Sequence, residues 1–296
     1  MTKFPHAFAG MDIVVDNALG WARFMVERYA DVDGNMARSP DNLRLSGQLQ
    51  LARYILAAAQ GHDAEAQVYL RNGHARILYG THASLLRCRK RRHFVLGNLD
   101  TLVGQLLKAI ATRQQWLVRP FLLDIFEAIE GGWGVHDGNG WTGAATLAFA
   151  AMGLSIIGRW LDIPIDLAKH KLPMDSRWTE FTQRWDDPDE RSFLAIAYDV
   201  CEKHVERIGP GDVQDIKHEY EFSFPLDGLY PSEVLAALEL RRLLGLSSTH
   251  PDHEILRLPY AIRIGEGAAA GTDKFLTEYV AGLRIRKLPH PASDTS

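Results

Sequence analysis

The run Asp186, Asp187, Asp189 and Glu190 gathers carboxylates on one short stretch. Aspartate-rich runs on helices can hold magnesium for diphosphate chemistry, because a hard divalent cation takes oxygen ligands. That chemistry needs a second metal-binding motif on another helix, and the sequence offers none. A local explanation uses the run more fully. Asp187 as N-cap, Pro188 at the first position and Asp189 with Glu190 in the first turn form a helix start, where negative side chains meet free amides and the positive end of the macrodipole. A magnesium-dependent helical enzyme built on Asp186, Asp187 and Glu190 stays open as an alternative.

Other reactive side chains give less. His250, His253 and Glu254 are not spaced as HExxH or HxxEH, and Pro251 between them suggests a turn. The chain has no GxSxG or GxxxxGK[ST] fingerprint, and the glycines from Gly131 to Gly140 follow a helix instead of a strand. Cys88 and Cys201 are far apart and in no CxxC spacing, so neither a disulfide framework nor a thiolate zinc site is suggested. Cys88 lies among arginines that would favour its thiolate, but no histidine and acid can be assigned to it. Neither a catalytic residue, nor a metal ligand, nor a cofactor is therefore expected.

Two loop regions carry ingredients of recognition. Trp133, Trp141, Trp178 and Trp185 fall near expected helix ends, and Asp212, Asp215, Glu219 and Glu221 bracket Lys217, His218 and Tyr220. Aromatic anchors beside carboxylates suit a protein partner, and an acidic face suits a basic one. Trp133, Trp141, Trp185, Asp212, Asp215, Glu219, Tyr220 and Glu221 are the partner-binding candidates. The competing reading packs the tryptophans inside and leaves the acids merely solvated.

The elements that would position these residues are helices. Val14, Ala18, Trp21, Met25 and Tyr29 share a face of a first helix, stopped by the Asp31 to Asn35 stretch. Ser39 and Pro40 cap a second, with Leu49, Ala52, Leu56 and Ala59 on one side. After Gly61, His62 and Asp63, a third follows with Ala66, Leu70, Gly73 and Ile77, making a helical hairpin. The basic run Arg87 to Arg92 reads as a charged connection. Leu99 to Ile110 and Leu122 to Ile129 give two more helices, with Pro120 in the first turn of the second. Trp141 to Gly158, uncharged and rich in glycine and alanine, reads as a central helix packed on all sides, since its apolar drive is weak for a membrane span. Phe193 to Val205, a helix opened by Pro231 and closed by Gly245, and a last helix from Asp273 to Leu283 complete the pattern. The expected fold is all-α: antiparallel helical hairpins in one large domain or two abutting subdomains, 1–93 and 94–296.

Composition bounds the function classes. With 296 residues, 46% hydrophobic and 24% charged, the chain is an ordinary globular one. Thirty-three basic against 37 acidic residues give a formal charge of -4, so no overall positive field gathers nucleic acid. The Arg87 to Arg92 run beside Phe94 is the one place that could meet phosphate, and a single aromatic is not a stacking platform. Met1 to Gly10 lacks the pattern of a secretory signal. A cytoplasmic protein without membrane contact is expected, its oligomeric state unread.

Phe193 to Val205, then Leu229 to Ala237, then His250 to Pro259, resemble the C-terminal region of all-helical immunity proteins from bacterial polymorphic-toxin systems. The likeness is one of layout over the last third of the chain. It implies a cytoplasmic protein that binds and neutralises a cognate toxin with no catalysis of its own, and it transfers no binding residue. A helical scaffold or regulatory binding protein is the alternative of a different class.

Overall fold

A computed structural model describes residues 11–30, 39–91, 95–131, 134–136, 147–163, 165–209, 221–222, 224–265 and 273–285. Over these residues the fold is all-α, with one short parallel strand pair. Helix α1 (Met11–Tyr29) buries Met11, Val14, Ala18, Ala22 and Met25, the i, i+4, i+7 spacing of an amphipathic helix. Ser39 caps α2 (Pro40–Ala59) by accepting from Asn42 N at 3.2 Å. Gly61, at φ +74°, turns the chain into α3 (Asp63–Arg91), a conformation that suits a residue without Cβ.

The α2–α3 hairpin packs unusually close. A Cβ on Gly47 would stand 2.6 Å from Ile77 Cγ1 and 2.8 Å from the Gly73 carbonyl oxygen. The buried residues of α2 run around much of its circumference, from Leu43 and Gly47 to Tyr54 and Ala58, whereas Ala59 is exposed. The single stripe expected from Leu49, Ala52, Leu56 and Ala59 is thus too narrow: α2 is sandwiched between α1 and α3. Arg87 to Arg91 are not a connection, because α3 continues as helix to Arg91; Arg92 lies outside the described residues.

Strand β1 (Val95–Asn98) pairs in parallel with β2 (Gly134–His136), so part of the expected glycine-rich turn is a short strand. Between them lie α4 (Leu99–Ala111), a 3-10 turn at Gln115–Leu117 and α5 (Val118–Gly131), which holds Pro120 in its first turn. Helix α6 (Ala148–Leu161) buries Ala148 to Leu154, then Ile156 to Gly158, as expected for that part of the uncharged stretch; Trp141 to Thr146 lie outside the described residues. Its N-terminus has no local side-chain cap. Asp100 of α4 serves instead, accepting from Ala150 N at 2.8 Å and Leu147 N at 3.2 Å, which places a buried carboxylate at the positive end of the helix.

The second half adds α7 (Ser176–Arg184), α8 (Glu190–Glu206), α9 (Pro225–Leu229), α10 (Ser232–Leu243), α11 (Glu254–Arg257) and α12 (Lys274–Ile285). Helix α10 lies inside the molecule, buried continuously from Ser232 to Arg241. Asp273 caps α12 through Phe275 N and Leu276 N. Arg76 of α3 grips the same carboxylate at 2.7 and 3.0 Å while donating to Ser46 Oγ, which ties the last helix to the first hairpin. One hydrophobic cluster extends from Met11 to Tyr279, so residues on both sides of position 93 share it. No helix among the described residues is long and apolar enough to cross a membrane.

Candidate functional site

Helix α8 separates a buried face from an exposed one that bears aromatic and acidic groups. Its start differs by two positions from the sequence expectation. Asp189, not Asp187, is the N-cap, accepting from Arg191 N at 3.2 Å and Ser192 N at 3.3 Å. Asp187 accepts from Asp189 N at 2.9 Å and pairs with Arg184, forming the turn before the cap. Pro188 precedes the cap, where its fixed φ shapes that turn. Inward from α8 point Phe193, Ile196, Ala197, Val200, Cys201 and His204.

The acidic run has a structural purpose beyond capping. Arg241, on the last turn of α10, is fully buried; it donates to the carbonyl oxygens of Trp185 (3.0 Å), Asp187 (2.7 Å) and Ser247 (2.6 Å), and its guanidinium lies 3.9 Å over the Phe193 ring. None of these partners carries a formal charge. Burial pulls its pKa down, and Asp187, Asp186 and Glu190 push it back up. The run is the counter-field of a buried cation. Asp186 also pairs with Arg159 at 2.8 Å, and Glu190 accepts from the hydroxyls of Ser247 and Thr249, which hold its pKa below the ordinary value. The acids therefore turn toward separate partners, and among the described residues no group of three His, Cys, Asp or Glu is placed to hold a metal ion.

On the outer face, Tyr198, Glu202 and Glu206 follow one another at i, i+4, i+8. Tyr198 is 45% exposed. The chain returns beside it at residues 250–257. His253 caps α11: its Nδ1 accepts from Ile255 N at 3.2 Å, and its Nε2 lies 2.9 Å from Glu202 Oε1. An Nδ1 that accepts carries no proton, so Nε2–H is the donor to Glu202 and the ring is neutral. Burial holds the pKa of His253 below the usual histidine value, with Glu202 opposing. The imidazole meets the Tyr198 ring edge to face, centroids 4.9 Å apart.

The Tyr198 phenol is thereby set among carboxylates. Glu202 raises its pKa first, by charge, with Glu254 and Asp252 adding to the shift. Asp252 is paired with exposed Arg257, and Asp199, one residue from Tyr198, with Lys203. Taken together, Asp199, Glu202, Glu206, Asp252 and Glu254 outnumber Lys203 and Arg257 on this face. An electron-rich ring inside a field of carboxylates is suited to receive lysine or arginine side chains, through ion pairing and cation–π contact.

Beneath it lies a second polar pair, closed to solvent. His204 and Glu233 are both fully buried, Nδ1 to Oε1 2.6 Å, with His204 Nε2 at 3.2 Å from the Gly228 carbonyl and the ring stacked 3.9 Å from Phe222. Because a carbonyl only accepts, Nε2 carries a proton and donates. Nothing outside can reach this pair, and it joins α8 to α9 and α10. Cys201 beside it is likewise shielded, its thiol pKa raised by burial.

No family model, curated protein or solved structure matches the chain. The residues themselves carry the functional reading.

Of the partner-binding candidates named from sequence, Trp133, Trp141, Asp212, Asp215, Glu219 and Tyr220 lie outside the described residues. Trp185 is in the core, 1% exposed, as is Trp178, so neither offers itself to a partner. Tryptophan at a helix end tells nothing of direction, and the end of α7 points inward. The Glu221 side chain is buried too, 3.8 Å from Arg207, which also binds Asp175 at 2.9 Å. Sequence reading missed Tyr198 and its carboxylates. Their signal was the polar stripe of α8 opposite Phe193 and Val200; what no stripe shows is that the residues 250–257 close against it.

Proposed function

We propose that the chain is a binding protein of the immunity type, which captures and neutralises a cognate bacterial toxin in the cytoplasm with the acidic, aromatic face around Tyr198. The supporting observation is the exposed Tyr198 ring held between Glu202, Asp252 and Glu254 on a rigid helix. Rigid aromatic anchors supply contact area at little entropic cost, while surrounding carboxylates steer a basic partner and suppress an acidic one. Recognition by this face needs no chemistry from the chain, which is what the resemblance of the last third to helical immunity proteins implies.

The test is co-expression with the product of the adjacent reading frame. Growth rescued by the wild-type chain, and lost when Tyr198→Ala is combined with Asp252→Lys and Glu206→Lys, supports toxin capture through this face. Rescue that survives the triple variant moves the binding surface elsewhere. A folded protein that neither binds nor protects against that product leaves the scaffold reading in its place.

A further inference from the structure

Three arginines gather around one buried glutamate where the ends of α4 and α10 meet the segment that carries Arg263. Glu239 of α10, 4% exposed, accepts on Oε1 from Arg242 Nη2 at 2.6 Å and on Oε2 from Arg242 Nε at 2.9 Å. Arg113, just past α4, donates its Nε to the same Oε2 at 3.3 Å. Arg263 stands within electrostatic reach of all three and donates to Ser248, whose carbonyl oxygen is 3.1 Å and whose hydroxyl is 3.4 Å away. Arg242 thus occupies both oxygens of the carboxylate. Arg113 shares one of them, and Arg263 has no carboxylate partner among the described residues.

Helix ends account for only part of this charge. The macrodipole favours a cation beside a helix C-terminus, and Arg113 and Arg242 lie at such ends, but Arg263 lies in neither helix. Burial pulls its pKa down, Glu239 opposes, and Arg113 and Arg242 add to the fall. A guanidinium keeps its proton all the same. Arg113 is also an unfavourable choice for its backbone, because at φ +57° it closes α4 in the left-handed conformation that glycine ordinarily supplies. The turn does not ask for that side chain. Both arginines keep donors open: the two terminal nitrogens of Arg113, on a side chain 14% exposed, and Arg263 Nε donate to no described residue and are not sealed from solvent. Two guanidiniums without a carboxylate of their own suit an anion of two charges, each planar fork meeting a pair of oxygens, whereas a carboxylate would answer only one. We propose that Arg113 and Arg263 bind a dianionic phosphate group, as the free ion or as the terminal monoester of a small molecule, with the Arg242–Glu239 pair holding Arg113 in place.

The full chain is titrated by calorimetry with inorganic phosphate, glycerol 3-phosphate and acetate, at constant ionic strength and about pH 8, where a phosphate group is dianionic. Thermal melts run in parallel. Both phosphates are expected to bind saturably at one site and to raise Tm with concentration, as a ligand of the folded state must, and acetate is expected to do neither. Tighter binding of the ester assigns the site to a monoester; tighter binding of inorganic phosphate assigns it to the free ion. Arg113→Gly suits the left-handed turn and leaves Arg242 on Glu239, so its unliganded Tm should stay at or above wild type while phosphate affinity falls about tenfold or more. Arg263→Gln, which keeps an amide donor for the Ser248 carbonyl, should lose as much. No saturable binding of either phosphate, equal binding of acetate, or wild-type phosphate affinity in either folded variant overturns the proposal.

Discussion

Arg241 shows how a residue type can mislead when its partner is distant in sequence. Asp186, Asp187 and Glu190 invite a metal, yet the cation they face is a guanidinium some fifty positions later, fixed by three backbone carbonyls. Arg241→Met keeps the stacking volume over Phe193 but leaves those carbonyls without their donor. A loss of about 2–4 kcal/mol is expected in urea denaturation, the range for stranding buried polar groups and breaking a charged contact. Arg241→Lys should recover only part of it, since an ammonium lacks the planar fork. Wild-type stability in Arg241→Met would remove the counter-field explanation of the acidic run.

The histidines set the response to acid. Burial lowers the pKa of His74, His250 and His253 in the folded protein. Above the ordinary value of about 6.5 both folded and unfolded chains are neutral at these rings, and the stability they permit is fully present. As pH falls below that value the unfolded chain binds protons the folded one does not, so stability declines until the folded rings titrate. His253→Asn retains an N-cap acceptor and removes one titrating ring. Its urea midpoint should therefore fall less than that of wild type between about pH 7.5 and 5.5. An unchanged decline would show that His253 is not among the groups responsible.

At the scale of elements, the glycines of the first hairpin separate close packing from open helix surface. Gly47→Ala drives a methyl group into Ile77 and the Gly73 carbonyl, and a loss of about 1–3 kcal/mol is expected. A Cβ added at Gly20, on the exposed side of α1, would meet nothing within 4 Å, and Gly20→Ala should stabilise by about 0.5–1 kcal/mol through helix propensity. Thermal melts of the two variants should move in opposite directions.

Much of the helical layout was legible because it rests on local rules. Ser39 with Pro40, the α6 alanine and glycine run, Pro120 in a first turn and the break at Gly61 all act within one or two turns. What could not be read depends on separation in sequence. Asp100 caps α6 across some fifty positions, α2 is buried on several sides because α1 and α3 both meet it, and β1 finds β2 only after α4 and α5 have been placed. The candidate site follows the same rule. Tyr198 and Glu202 share a helix face that periodicity reveals, but His253 reaches them from another segment, and Trp185 turns inward for reasons of packing that a helix-end position does not encode.

For the whole molecule, the formal charge is a slight -4; among the described residues the α8 face gathers carboxylates around an exposed ring, while buried arginines elsewhere hold elements together. Steering by such a face depends on ionic strength, whereas the anchoring aromatic governs how long a complex lasts. The most direct measurement is stopped-flow association of the purified chain with the adjacent reading frame's product at low and high salt, with wild type, Asp252→Lys with Glu206→Lys, and Tyr198→Ala. The expected result is fast, strongly salt-sensitive association for wild type, slower and flatter association for the charge-reversed variant, and faster dissociation for Tyr198→Ala. Identical rates and salt slopes for all three, or no complex with the wild-type chain, would contradict it.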